Sequence, residues 1–151
     1  MTVYRISNRL FSNDLSGSGA KLNGSRWNSK GVPMLYTTQH VSLALLEMLV
    51  HTAFKDYQIE LDLLYIQLPG GIEAKEIHLS RLKTNWFKDE AYTRFIGDEF
   101  ILSKQTLLLQ VPSAVVNEEF NFLINPFHPD FKKIKISKVK PFRPDKRLFS
   151  L

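Results

Sequence analysis

One carboxylate stands inside the most apolar stretch of the chain. The pattern from about Gln39 to Phe54 predicts a helix, and Glu47 sits in its middle among Leu45, Leu46, Met48 and Leu49. A helix that is apolar on every side belongs in a core. An ionised carboxylate buried there without a partner is strongly disfavoured. Glu47 must therefore be paired, hydrogen-bonded or chemically employed. At helical spacing it shares a side with His40, Leu43, Ala44, His51 and Phe54, so a Glu47/His51 pair spaced i,i+4 is the ordinary alternative. Four further polar residues fall at junctions between predicted elements, where sites tend to form. Arg26 follows the turn Asn23-Gly24-Ser25, and Tyr36 lies near the end of a predicted strand. Ser113 follows Pro112, and His128 lies in Asn125-Pro126-Phe127-His128-Pro129. Each has a structural alternative: Arg26 as a clamp on its turn, Tyr36 as core or rim, Ser113 as a turn cap, His128 as a loop histidine.

What these residue types could do is narrowed by the signatures that are missing. There is no phosphate-cradling P-loop, and Gly17-Ser18-Gly19 lacks the rest of a dinucleotide fingerprint. Ser113 is flanked by Pro112 and Ala114, which is not a nucleophile elbow. The histidines at 40, 51, 78 and 128 lack the spacing of a zinc protease. A hydrolytic triad and a metal enzyme are both weakly supported.

The elements that must position these residues read as follows. Thr2–Ser7 alternates as a first strand. Asn8–Asn23 is polar and reads as a long loop of the kind that forms lids and binding loops. Pro33–Thr37 is a short strand, and Thr38 is the expected N-cap of the Glu47 helix. Ile59–Leu68 is a strand broken by Pro69-Gly70-Gly71, and Ile72–Leu79 reads as a weaker one. Asn85–Lys88 is a connection. A second helix spans Asp89–Ser103, with Tyr92, Phe95, Ile96, Glu99 and Leu102 at helical spacing. Gly97 weakens its middle by about 1 kcal/mol relative to Ala. Thr106–Val111 is a buried strand, Ala114–Val116 resumes pairing, Phe120–Ile124 is another strand, and Ile134, Ile136 and Val139 mark a last one. The expectation is an α+β fold with more strands than helices, forming a single domain over residues 1–151.

Composition fits a soluble globular chain, with 44% hydrophobic and 23% charged residues in 151. Eleven phenylalanines suggest a core rich in aromatics. The absence of cysteine removes disulfides, thiol nucleophiles and thiolate metal sites. Met1–Phe11 has no apolar signal core, and no run approaches a membrane span, so the expected location is cytoplasmic. The net charge of +5 is concentrated at the end: Phe131–Leu151 carries eight basic residues against Asp145 alone. Such a strip reads first as a solvated strand face, then as a surface for an acidic partner. A nucleic-acid-binding module or RNase toxin has this strip as its sole support, without aromatics interleaved in an RNA-binding pattern.

Several separated pieces, in order, resemble the RES family of bacterial toxins. They are Tyr4-Arg5-Ile6, Gly24-x-Arg26-Trp27-Asn28-x-x-Gly31, Leu35-Tyr36-Thr37, Ala44-Leu45-Leu46-Glu47, Val111-Pro112-Ser113-Ala114 and Asn125-Pro126-x-His128-Pro129. No piece is specific alone; the ordered set, running from Tyr4 to about Leu148, is. Ser25 and Ser29 depart from the family's usual residues, where Gly or Ala and Pro are frequent.

The resemblance implies a fold like that of ADP-ribosyltransferases, with mostly antiparallel sheets, and NAD+ as substrate. It implies cleavage of the nicotinamide–ribose bond with inorganic phosphate or water as acceptor, or ADP-ribosylation of a protein. No metal is required, because nicotinamide already carries positive charge before it leaves. The family's catalytic positions carry over as Arg26, Tyr36, Glu47 and Ser113, with Trp27, Asn28, Asn125 and His128 as substrate contacts. Glu47 would hold the ribose hydroxyls and stabilise the developing cation. Arg26 would take a phosphate oxygen through its fork. Tyr36 would stack on nicotinamide, and Ser113 would position Glu47 or the ribose. The implied partner is an Xre-like antitoxin with a helix-turn-helix domain, in a hetero-oligomer. The toxin itself is not expected to bind DNA or a membrane.

Overall fold

Among the described residues, seven strands form one mixed sheet. The computed structural model describes residues 1–51 and 59–150. The strands are β1 (Thr2–Asn8), β2 (Leu35–Thr38), β3 (Leu61–Gln67), β4 (Ala74–Glu76), β5 (Leu108–Pro112), β6 (Phe120–Ile124) and β7 (Lys135–Phe142). The helices are α1 (Ser18–Asn23), α2 (Val41–His51) and α3 (Glu90–Ser103). The order across the sheet is β4-β5-β6-β2-β1-β3-β7. Every neighbouring pair is antiparallel except β4–β5, which is parallel. The α+β class is as the sequence suggests, with the strands in one sheet.

The central strands read as apolar runs because both faces are covered. Leu63, Leu64 and Ile66 of β3, Leu108, Leu109 and Val111 of β5, and Leu123 and Ile124 of β6 are all buried. One core cluster gathers Val3, Leu35, Leu64, Ile66, Leu107, Leu108 and Ile124. A second gathers Trp27, Met34, Trp86, Phe100, Ile101, Leu109 and Leu123, with α3 packed on it. The core is therefore mainly aliphatic. The expected wealth of buried aromatics reduces, among the described residues, to Trp27, Trp86, Phe100 and Phe122, while Phe11, Phe87, Phe95 and Phe127 are exposed.

Several local expectations change. The stretch read as a loop from Asn8 to Asn23 contains a short 3-10 turn and α1. Asp14 organises it: its carboxylate accepts from Ser16 N and Oγ and from Ser18 Oγ. Those bonds from Ser16 and Ser18 hold its pKa down to about 2. Thr38 ends β2 and does not cap α2; its hydroxyl donates to the His40 carbonyl (2.8 Å). α2 is buried on one side only, through Leu43, Ala44 and Leu49, with Leu46 and Val50 exposed. Thr52, Ala53 and Phe54, which the sequence pattern adds to this helix, lie outside the described residues. α3 turns Thr93, Gly97, Phe100 and Ile101 inward and leaves Phe95 and Leu102 outside. Ala114–Val116 is a bend in the connection from β5 to β6, not a strand. The basic strip includes the edge strand β7, almost wholly exposed, where lysines discourage pairing with other chains, and its other basic residues lie on either side of that strand. Among the described residues, no helix is long and apolar enough to cross a membrane.

Candidate active site

The turn Ser25–Ser29 is built by α3. Its closing bond runs from Ser25 N to the Asn28 carbonyl (3.0 Å). Three residues on one side of α3 then grip the turn at Ser25, Arg26 and Ser29. Arg94 Nε donates to the Ser25 carbonyl (2.8 Å), and Thr93 Oγ1 donates to the Arg26 carbonyl (2.5 Å). Asp98 accepts from Ser29 N (2.9 Å) and Ser29 Oγ (2.5 Å). Between them the Trp27 carbonyl lies so close to Gly97 that a Cβ there would stand 1.6 Å from it. Ser29 thus has work that a proline could not do, since proline has no N–H to give Asp98.

β2 holds the same turn from the other side. Tyr36 Oη accepts from Trp27 N (3.0 Å) and donates to Asn28 Oδ1 (2.7 Å). Burial pushes the Tyr36 hydroxyl well above its usual value, so it stays a neutral donor. Asn28, fully buried, gives its amide to the carbonyls of Ala20 (2.8 Å) and Val32 (2.9 Å). Trp27 packs on Trp86 in the core.

A cleft of about 310 Å³ opens between α2 and the middle of the sheet. Its walls come from Tyr4, Arg5 and Ile6 of β1, Ser25 of the turn, Tyr36, Thr37 and Thr38 of β2, Ala44, Glu47, Met48 and His51 of α2, and Asn121 of β6. Glu47 is the carboxylate on this wall, with 19% of its side chain exposed. Its Oε1 accepts two hydrogen bonds, from Ser113 Oγ (2.8 Å) and Asn121 Nδ2 (2.7 Å). Its Oε2 faces His51 Nε2 at 3.6 Å.

Ser113 has little choice of direction. It is fully buried behind Glu47, and its Oγ accepts from the amides of Val115 (3.0 Å) and Val116 (3.1 Å). A hydroxyl has two acceptor sites and one proton. With both acceptor sites taken, the proton goes to Glu47.

Burial pushes the Glu47 carboxyl up, but His51, Asn121 and Ser113 together outweigh it, and the group lies below the usual glutamate value. The sign follows from linkage. A depressed folded pKa contributes stability that is present above the unfolded value and lost as pH falls through the folded one. Unfolding free energy measured against pH should therefore fall less steeply in Glu47→Gln than in the wild type across that acid window.

Arg5 brings positive charge to the cleft. It is half-buried, and its Nη1 donates to the Asp14 carbonyl (3.4 Å). Burial lowers its pKa, with Asp14 partly offsetting; a guanidinium remains charged regardless. The other residues expected at a site are placed elsewhere. Arg26 lies outside the cleft lining: its Nη1 donates to the Phe87 carbonyl (2.7 Å), with the guanidinium over Trp86. Asn125 is buried and gives its amide to the Phe100 and Ile101 carbonyls near the end of α3. His128 Nδ1 accepts from Asp130 N. Glu47 and Ser113 therefore meet, Tyr36 lines the same cleft, and Arg26, Trp27, Asn28, Asn125 and His128 serve the frame around it. Sequence reasoning passed over Asn121 and quoted Arg5 only within a motif. The alternation of β1, which puts Arg5 on the same face as buried Val3 and Ser7, was the available signal.

The RES domain model matches residues 2–146 of the chain. The chain belongs to the RES family. Among relatives of this RES chain, the Prs ADP-ribosylating toxin of Sphingobium sp. (strain YBL2) is 39% identical over 89% of the chain and 86% of its own length. Toxin Res of Pseudomonas putida is 36% identical over 99% of the chain and all of its own length. Toxin Res of Yersinia enterocolitica is 39% identical over 93% of both. The fold is shared with a chain of the M. tuberculosis MbcT–MbcA toxin–antitoxin complex, at a TM-score of 0.75 and 18% identity, covering 99% of this RES chain and 86% of the other.

Proposed function

We propose that this RES chain is the enzymatic toxin of a toxin–antitoxin pair, and that the Glu47 cleft binds NAD+ and breaks its nicotinamide–ribose bond. The observation that carries the reading is the state of Glu47: ionised, fixed through Oε1 by two donors, with its other oxygen on the cleft side beside His51. Departure of nicotinamide leaves positive charge on the ribose. A carboxylate already charged and already held stabilises that charge without reorganising. Arg5 supplies the cationic wall for a phosphate of the dinucleotide or for inorganic phosphate. The Tyr36 ring forms a wall against which nicotinamide stacks. Arg26 acts on the cleft through the turn that Tyr36 grips. No step of this scheme calls for a metal.

The partner is an antitoxin of the Xre-like helix-turn-helix type, as the family resemblance implies. The structural likeness to a chain of a toxin–antitoxin complex supports an antitoxin of some kind.

The acceptor divides the reading. Phosphate gives a phosphorylase, water a glycohydrolase, and a protein side chain an ADP-ribosyltransferase. The last is favoured by the Sphingobium relative named as an ADP-ribosylating toxin. Purified chain, free of antitoxin, given labelled NAD+ with and without inorganic phosphate, and with cell extract as a source of protein acceptor, separates the three. Loss only with phosphate marks phosphorolysis, loss in both marks hydrolysis, and label on a protein band marks transfer. Arg5→Gln should raise the KM for NAD+ by roughly 10- to 100-fold, the value of a lost charge-assisted hydrogen bond. Steady-state kinetics with an unchanged KM would remove Arg5 from the phosphate role.

A further inference from the structure

We propose that Asn121, acting with Ser113 and beside His51, aims Glu47 and helps hold its charge, a positioning role that rests on the reading of Glu47 given above. Asn121 lies on β6 at the point where it pairs with Thr38 of β2 and Val111 of β5, in the middle of the sheet and on the wall of the cleft. It is 9% exposed, and its Nδ2 donates to Glu47 Oε1 at 2.7 Å. Its Oδ1 is buried and accepts nothing. A buried acceptor without a donor is rare in folded proteins, and each case needs a cause.

The cause here is the carboxylate. A half-turn of the amide would exchange its oxygen and nitrogen and set Oδ1 against Glu47 Oε1, acceptor facing acceptor. The charge on Glu47 forbids that rotamer, so the nitrogen faces the carboxylate and the oxygen goes without a partner. For stability alone, an apolar pair of similar shape would serve as well or better. The arrangement gains something only if Glu47 must be charged and still. Ser113 and Asn121 divide the work. Ser113 reaches Oε1 from a turn behind α2, and Asn121 reaches the same oxygen from the sheet. Two donors from two elements fix the plane of the carboxylate, and Oε2 is left for the cleft.

Asn121→Leu tests this, because it keeps the shape while removing both the donor and the orphaned oxygen. The Glu47 carboxyl is followed by 13C NMR of glutamate-labelled protein against pH, assigned with Glu47→Gln. Loss of the donor should move the Glu47 titration upward and, by linkage, remove the stability that this bond contributes at neutral pH. The kcat for NAD+ should fall on the order of 10- to 100-fold, the scale expected for loss of orientation, with KM changed little. Asn121→Thr is the second variant: it suits a strand, and its hydroxyl stops one atom short of Glu47. It should move the titration the same way. A Glu47 titration unmoved in whichever variant folds would overturn the proposal. A shifted titration in a chain that never consumes NAD+ would uphold the positioning of Glu47 and overturn the enzymatic reading instead.

Discussion

Glu47→Gln should fold as the wild type does and lose roughly 10²–10³ of its NAD+ turnover, the scale for removing a preorganised electrostatic group. Glutamine keeps the length and shape of the side chain. Its carbonyl oxygen can still accept from Ser113 and Asn121, so the wall of the cleft stays in place. What disappears is the negative charge on the oxygen beside His51. Because both side chains are neutral below the Glu47 pKa, thermal unfolding of the variant at acidic pH should match that of the wild type. The pairing of retained fold and lost turnover is the useful signature. A cleft that merely needed Glu47 for packing would keep both its fold and its turnover. Folded Glu47→Gln protein turning over NAD+ at near the wild-type rate would sink the assignment.

Gly97→Ala should destabilise the chain by about 3 kcal/mol, read as a fall of roughly 6–12 °C in Tm. In an ordinary helix the same change is favourable by about 1 kcal/mol, because alanine loses less backbone entropy. Here the new Cβ would stand 1.6 Å from the Trp27 carbonyl oxygen, a backbone atom that cannot rotate away. Either α3 retreats from the turn or the turn moves. Both would weaken the grip of Thr93, Arg94 and Asp98 on residues 25–29 and so disturb Tyr36. Activity should therefore fall together with stability. An unchanged or raised Tm in Gly97→Ala would mean that α3 does not lie against the Trp27 carbonyl.

That glycine also shows where sequence reading stops. Within the helix alone, Gly97 is a weak point; its reason is a contact with a turn seventy positions earlier in the chain. Tertiary packing overrode local propensity in the same way for the side of α3 that faces inward. Phe95 and Leu102 have the right spacing for a core but lie outside, while Thr93 is buried because its hydroxyl has the Arg26 carbonyl to bond. The strands were more legible, since alternation and breakers such as Pro69-Gly70-Gly71 are local signals. β1, β3 and β6 lie within a residue or two of their expected spans. The parallel pairing of β4 with β5 has no local signature.

The site was legible at its charged centre. A glutamate in an apolar helix needs partners, and the structure supplies Ser113 and Asn121. Ser113 was reachable through the family motif. Asn121 was not, because an asparagine in Phe120–Ile124 looks like any polar residue on a strand. Arg26, Trp27 and Asn28 share one motif but face different ways: Trp27 and Asn28 are buried in the frame, and the Arg26 guanidinium lies against Phe87 and Trp86. Adjacency in sequence fixes a turn, and side-chain direction within it is set by α3 and β2.

The most direct test is release of nicotinamide from NAD+ by the folded chain, free of antitoxin, beside Glu47→Gln prepared the same way. This readout is the same for phosphate, water and protein acceptors, provided the acceptor is present. The account predicts nicotinamide from the wild type and at least a hundredfold less from the variant. Equal release from both, or intact NAD+ with the wild type in the presence of phosphate, water and cell extract as acceptors, would contradict it.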